Sequence, residues 1–143
     1  VKVLIASDHA GFGLKTQLIN SEIFKNLNIQ IEDLGPTDAQ SVDYPDYAKR
    51  VASQVNQDVN QQGILICGSG QGMSITANKF PKVRAALCLD ENMAALARAH
   101  NNANILCLGS RLSSFEVVQK ILSTFFKTPF EGGRHQTRVD KIC

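Results

Sequence analysis

Tryptophan is absent from this chain and tyrosine occurs only twice, which leaves few stacking platforms for a flavin. The four cysteines, Cys67, Cys88, Cys107 and Cys143, include no CxxC pair, and no His/Cys cluster has zinc-ligand spacing, so a structural metal is not expected. Three of them sit in or at the end of apolar runs, which suits free thiols in a reducing compartment; a cytoplasmic location is the expectation. Charge of one sign is also scarce. Fifteen basic residues face thirteen acidic ones for a formal +2, with no block of five like charges, and nothing in this balance points to nucleic acid. No stretch approaches the roughly 18 apolar residues of a membrane span. The opening Val1 to Ser7 lacks the length and cleavage pattern of a signal peptide. What is left is an ordinary globular composition, and 143 residues suit one domain over 1–143 with a core of its own.

Five apolar runs punctuate the chain: Lys2 to Ala6, Ile29 to Leu34, Gly63 to Cys67, Val83 to Leu89 and Ala103 to Leu108. They are continuous rather than alternating, except for the more polar Ile29 to Leu34, and so read as parallel strands covered on both faces. Helical faces lie between them. Tyr44, Ala48, Val51, Ala52 and Val55 share one stripe; Phe115, Val118, Leu122 and Phe125 share another. Pro45 suits a first helical turn, and Asp90 is placed to cap the helix that runs to about Asn101. Five βα units predict an α/β fold, a Rossmann-like three-layer α/β/α sandwich around a five-stranded parallel sheet with the flavodoxin-like order 2-1-3-4-5. Thr128 to Cys143 shows no period and reads as an extended C-terminal arm.

In such folds the ligand lies beyond the carboxyl ends of the strands. There the chain carries Asp8-His9, Gly35-Pro36, "CGSGQG" from Cys67, Asp90 and Gly109-Ser-Arg111. The glycine loop Gly68 to Gly72 enters a helix expected to start near Met73, so bare amides and a helix N-terminus meet there. The loop is neither a P-loop nor GxGxxG, and a plain tight turn would look the same. Cys67 stands beside those amides, where the helix dipole favours thiolate, a group able to take a proton. Cys88 and Cys107, each set between leucines as "LCL", read as core packing.

The three histidines are His9, His100 and His135. Arg111, Arg134 and Arg138 could form an anion site, since the planar guanidinium suits phosphate. The helix ending at His100 starts at the ligand edge and runs back about 15 Å. His100 should therefore lie far from Cys67 of its own subunit; if the two act together, they do so across a two-fold dimer with composite sites, and otherwise His100 is a surface histidine.

The segments "SDHAG", "VDYPDYA", "ILICGSGQGMSITANK", "AHNNANILCLGSR" and "EGGRHQTRV", taken together and in this order, resemble the ribose-5-phosphate isomerase B family, which includes galactose-6-phosphate and allose-6-phosphate isomerases. The resemblance spans nearly the whole chain. It implies a metal-independent aldose–ketose isomerase without cofactor, working in the pentose phosphate pathway as a homodimer with shared sites, or as a tetramer of paired dimers. It implies Cys67 as the base between C2 and C1 and a glycine loop, Gly68, Gly70, Gln71 and Gly72, that holds the enediolate. His100 would open the furanose ring with Ser69 nearby. Asp8 and Asn101 would bind sugar hydroxyls, His9, Arg111, Arg134 and Arg138 would face the phosphate, and Tyr44 would line the pocket. His135 receives no role. A glutamate replaces the cysteine base in one branch of the family, just after the glycine loop; here that position is Met73. Ser69 stands where threonine is common. A six-carbon sugar phosphate isomerase, and a flavodoxin-like domain that binds a phosphorylated ligand without turnover, are the alternatives.

Overall fold

The computed structural model describes residues 1–143. Its strands are β1 (Lys2–Ser7), β2 (Gln30–Asp33), β3 (Gln62–Cys67), β4 (Ala85–Leu87) and β5 (Ile105–Gly109). Its helices are α1 (Phe12–Asn20), α2 (Ile23–Asn26), α3 (Tyr44–Gln57), α4 (Gln71–Ala77), α5 (Glu91–Ala99), α6 (Phe115–Lys127) and α7 (Arg134–Asp140). All strand pairings are parallel.

The sheet order is β2-β1-β3-β5-β4, which corrects the expected 2-1-3-4-5 at one edge. The physical reason lies in the two strands' composition. Every residue of β5 is buried, as a strand with neighbours on both sides and helices on both faces must be. The three residues of β4 are only partly buried, which suits an edge. The register puts Cys67 opposite Gly109 and Leu87 opposite Cys107.

Two apolar layers cover the sheet. Val3, Ile5, Ile64, Ile66, Leu106 and Leu108 face a layer built from Leu18 of α1, Ala94 and Ala97 of α5, and Val118, Ile121, Leu122 and Phe125 of α6. The alternate residues Leu4, Ala6, Leu65, Ile105 and Cys107 face Ala48, Val51, Ala52 and Val55 of α3 with Met73 and Ala77 of α4. This is the period-two alternation of a strand, hidden in the sequence because both faces are apolar. The local signals hold. Pro45 lies in the first turn of α3, and Asp90 Oδ1 accepts the Met93 amide at 2.8 Å at the start of α5. One expectation fails: the region from Thr128 to Cys143 is not wholly irregular. Gly132 and Gly133, both at positive φ, lead into α7, whose seven residues are too short to display a hydrophobic period.

Candidate active site

Five strands pointing the same way bring their carboxyl ends to one edge, and the loops after β1, β3 and β5 are stitched together there. The Asp8 amide donates to Ile66 O at 3.1 Å, the Ser110 amide to Cys67 O at 2.9 Å and the Arg111 amide to Gly68 O at 3.0 Å. The Ser110 hydroxyl donates to Ala10 O at 2.8 Å. Between them opens a cavity of about 510 Å³. Asp8, His9, Tyr44, Cys67, Gly68, Ser69, Gly72 and Arg111 line it, all of them foreseen, together with Ala10, Ile75 and Leu112, which were not. Nothing in the sequence separates those three from ordinary apolar residues; topology alone selects them.

Cys67 is 5% exposed and its Sγ accepts the Gly70 amide at 3.1 Å. The contrast with the other buried cysteines is chemical. Burial and then the nearby Asp90 charge push the Cys88 thiol up to about 12; burial, followed by Cys67 and Cys88, pushes Cys107 up as well. Both stay protonated packing groups. Beside Cys67, the amides of Gly68 and Ser69 donate to no acceptor within the chain, so two donors at the strand end are left for a ligand oxygen. The Gln71 amide donates to Ser69 Oγ at 3.3 Å.

The glycines of this loop have a packing reason that was not anticipated. Gly70 has φ 76°, and a Cβ there would lie 2.6 Å from Leu87 Cδ1 and 2.9 Å from the Leu108 carbonyl carbon. A Cβ on Gly72 would lie 2.4 Å from the Tyr44 ring. Gly70 thus lets the loop lie on the sheet edge, and Gly72 lets Tyr44 close over it. The helix begins at Gln71, two residues earlier than expected. Met73 is fully buried in the core and lies outside the cavity.

Asp8 is buried, and its Oδ1 accepts the Gly11 amide at 2.9 Å. His9 Nδ1 faces both the carbonyl and the amide of Val42, at 3.1 and 3.2 Å. Its tautomer decides which of the two it bonds. Lys15 was missed altogether. It is 1% exposed, with Nζ 2.8 Å from Asp33 Oδ1 and 2.6 Å from Pro36 O, and it ties the end of β2 to α1. A lysine on a helix carries no sequence mark of burial.

Of the other foreseen residues, Gly70 and Gln71 belong to the glycine loop without lining the cavity, and His100, Asn101, Arg134 and Arg138 do not line it either. His100 ends α5, and the turn after it leads into β5, where the Asn104 amide donates to Arg84 O at 3.0 Å. This is the edge where β5 begins, opposite Cys67, as the helix direction predicts. Arg84 Nε donates to Asn101 O at 3.0 Å, Arg84 Nη2 to Asn102 O at 3.0 Å, and Arg98 Nη1 to Ala103 O at 2.6 Å. Burial lowers the pKa of both guanidiniums, and for Arg98 the Arg84 charge adds to it. Both cations hold the carbonyls that follow a helix end, where the dipole favours them.

A thiol, open amides and an arginine at the carboxyl edge of a parallel sheet define an α/β protein whose cleft takes a small anionic ligand. The model of the ribose/galactose isomerase family matches residues 3–142, and the chain belongs to that family. It is 39% identical over 141 residues to ribose-5-phosphate isomerase B of Escherichia coli, covering 99% of this chain and 93% of that one. It is 50% identical over 143 residues to a probable ribose-5-phosphate isomerase B of Mycoplasma genitalium, covering 98% and 92%. The crystal structure of a Thermotoga maritima ribose 5-phosphate isomerase superposes with a TM-score of 0.93 at 51% identity, covering 99% of this chain and 97% of that one. The Mycoplasma genitalium structure with bound ribulose-5-phosphate superposes at 0.91 with 48% identity, covering 99% and 93%.

Proposed function

We propose that the protein interconverts ribose 5-phosphate and ribulose 5-phosphate through a cis-enediolate, with Cys67 as the base and without a metal ion. The observation that carries this is the Cys67 thiol in the cavity wall, bonded to the Gly70 amide at 3.1 Å and flanked by the open amides of Gly68 and Ser69. Moving a carbonyl from C1 to C2 removes a weakly acidic C–H proton and leaves charge on oxygen. A base and pre-aimed N–H donors are the two requirements, and each oxyanion donor is worth about 3 kcal/mol. Cys67 takes the C2 proton and returns it to C1. Asp8 binds sugar hydroxyls, Tyr44 closes the cavity, and His9 and Arg111 face the phosphate.

The site is completed by a second copy of the chain. His100 and Asn101 at the end of α5, with Arg134 and Arg138 on α7, lie outside the cavity of their own subunit and reach the partner's. The exposed apolar side chains Leu89, Met93 and Leu96 on and beside α5 supply a surface for that contact. The mostly cyclic aldose needs an acid and a base to open it, and His100 fills that role.

The test is turnover of ribose 5-phosphate with chelator present, for wild type and Cys67→Ala. Wild-type turnover with a fall of about 10²–10⁴-fold in the variant is expected. Equal turnover in both removes Cys67 from the mechanism. No turnover in the wild type transfers the reading to six-carbon sugar phosphates, assayed next.

A further inference from the structure

His135 was left without a role by the sequence, yet it is the histidine most firmly held. It is 9% exposed as a residue, at the start of α7. Its ring lies flat on that of His100, with centroids 4.3 Å apart and planes 9° from parallel. Glu131, four residues earlier, faces both rings: its Oε1 is 3.4 Å from His135 Nε2 and 3.9 Å from His100 Nε2. The backbone fixes this arrangement too. The Glu131 amide donates to Ala99 O at 3.0 Å, tying the arm to the last turn of α5.

The three donor atoms lie within 4.8 Å of one another, which invites a metal reading. Ring geometry speaks against it. Imidazole lone pairs lie in the ring plane. Two rings stacked nearly parallel therefore aim their lone pairs side by side, where a zinc site needs them to converge at about 2.0–2.1 Å. Stacking instead suits one ring that holds the other.

We infer that His135 is a positioning residue for His100: its buried ring is the platform that fixes the plane of the His100 imidazole. The inference rests on the reading of His100 as the ring-opening group. His100 is the C-cap residue of α5, at the start of the turn, and its side chain is 42% exposed; without a platform it would sample several rotamers. A catalytic group in the wrong rotamer does not reach its proton, and small misplacements cost up to about a hundredfold in rate. The order of burial fits this division of labour, with the covered histidine holding and the open one presented outward.

Two reactions separate ring opening from proton transfer. Ribose 5-phosphate must be opened before it reacts. Ribulose 5-phosphate has its C5 oxygen blocked by phosphate and cannot close a five-membered ring. Exchange of its C1 proton with solvent deuterium thus needs the Cys67 side of the site alone. In the full-length protein, His135→Ala is expected to slow ribose 5-phosphate turnover about tenfold or more through kcat, with exchange into ribulose 5-phosphate unchanged. His135→Phe keeps a flat ring and should recover most of the loss. An equal fall in both reactions, no fall in either, or failure of His135→Phe to recover overturns the platform. His100→Ala run in parallel tells the two ideas apart. If it leaves ribose 5-phosphate turnover intact, the role of His100 itself fails; if it slows turnover while His135→Ala does not, only the platform fails.

Discussion

Cys67 and its two buried relatives show how one residue type meets different surroundings within one fold. Cys88 and Cys107 are shut away from charge stabilisation, whereas Cys67 receives an amide N–H. The glycines beside it differ in the same way. Gly70→Ala would place a methyl against backbone at a left-handed φ, and neither the strain nor the clash has an outlet. A loss of about 2–4 kcal/mol is expected in urea unfolding. Gly72→Ala would press on the Tyr44 ring, an exposed side chain able to swing away. Its stability cost should stay within about 1 kcal/mol, while the loss of the Tyr44 wall raises KM several-fold. The reverse pattern, a mild Gly70→Ala and an unfolded Gly72→Ala, would reassign which glycine supports the loop.

At the scale of elements, β5 and β4 carry the main lesson in what a sequence discloses. The strand segments, the Asp90 cap and the Pro45 start were legible because each depends on neighbours within a few residues. The order of β4 and β5 was not, because both follow βα units of similar length and crossover rules allow either. The uninterrupted Ile105-Leu-Cys-Leu108, set against a β4 preceded by Arg84, was the available hint that the later strand takes the inner place. Burial makes this measurable. Leu106→Ala, in a strand buried on all sides, should cost about 3–4 kcal/mol, and Leu87→Ala, at the partly buried edge, about 1–2 kcal/mol. Similar losses at both positions would contradict the edge assignment. α7 escaped notice for its shortness, and Lys15 because its partners, Asp33 and Pro36 O, are brought to it only by the fold.

For the whole molecule, the foreseen site residues fall into two groups on opposite edges of the sheet. The sequence disclosed this division, since the length and direction of α5 place His100 away from Cys67. It could not disclose the stack of His100 on His135, which depends on how the arm returns across α5. A composite dimer makes a distinctive forecast. Cys67→Ala and His100→Ala homodimers should each be nearly inactive. Unfolding and refolding an equal mixture should restore about a quarter of wild-type activity, because half the dimers then hold one intact site of two. No recovery on mixing would put both groups in one subunit's site.

The late insertion of β5 between β3 and β4 also bears on how the chain is made. As synthesis proceeds from the amino terminus, β1, β2 and β3 can assemble at once, but the far edge of β3 has no neighbour until Ile105–Gly109 emerges. At ~5–20 residues per second the growing chain carries that open, apolar edge for some seconds. An unpaired strand edge is a template for joining other chains. The period of greatest aggregation hazard therefore falls on the ribosome, between completion of β3 and arrival of β5, and it ends when the last strand closes the middle of the sheet.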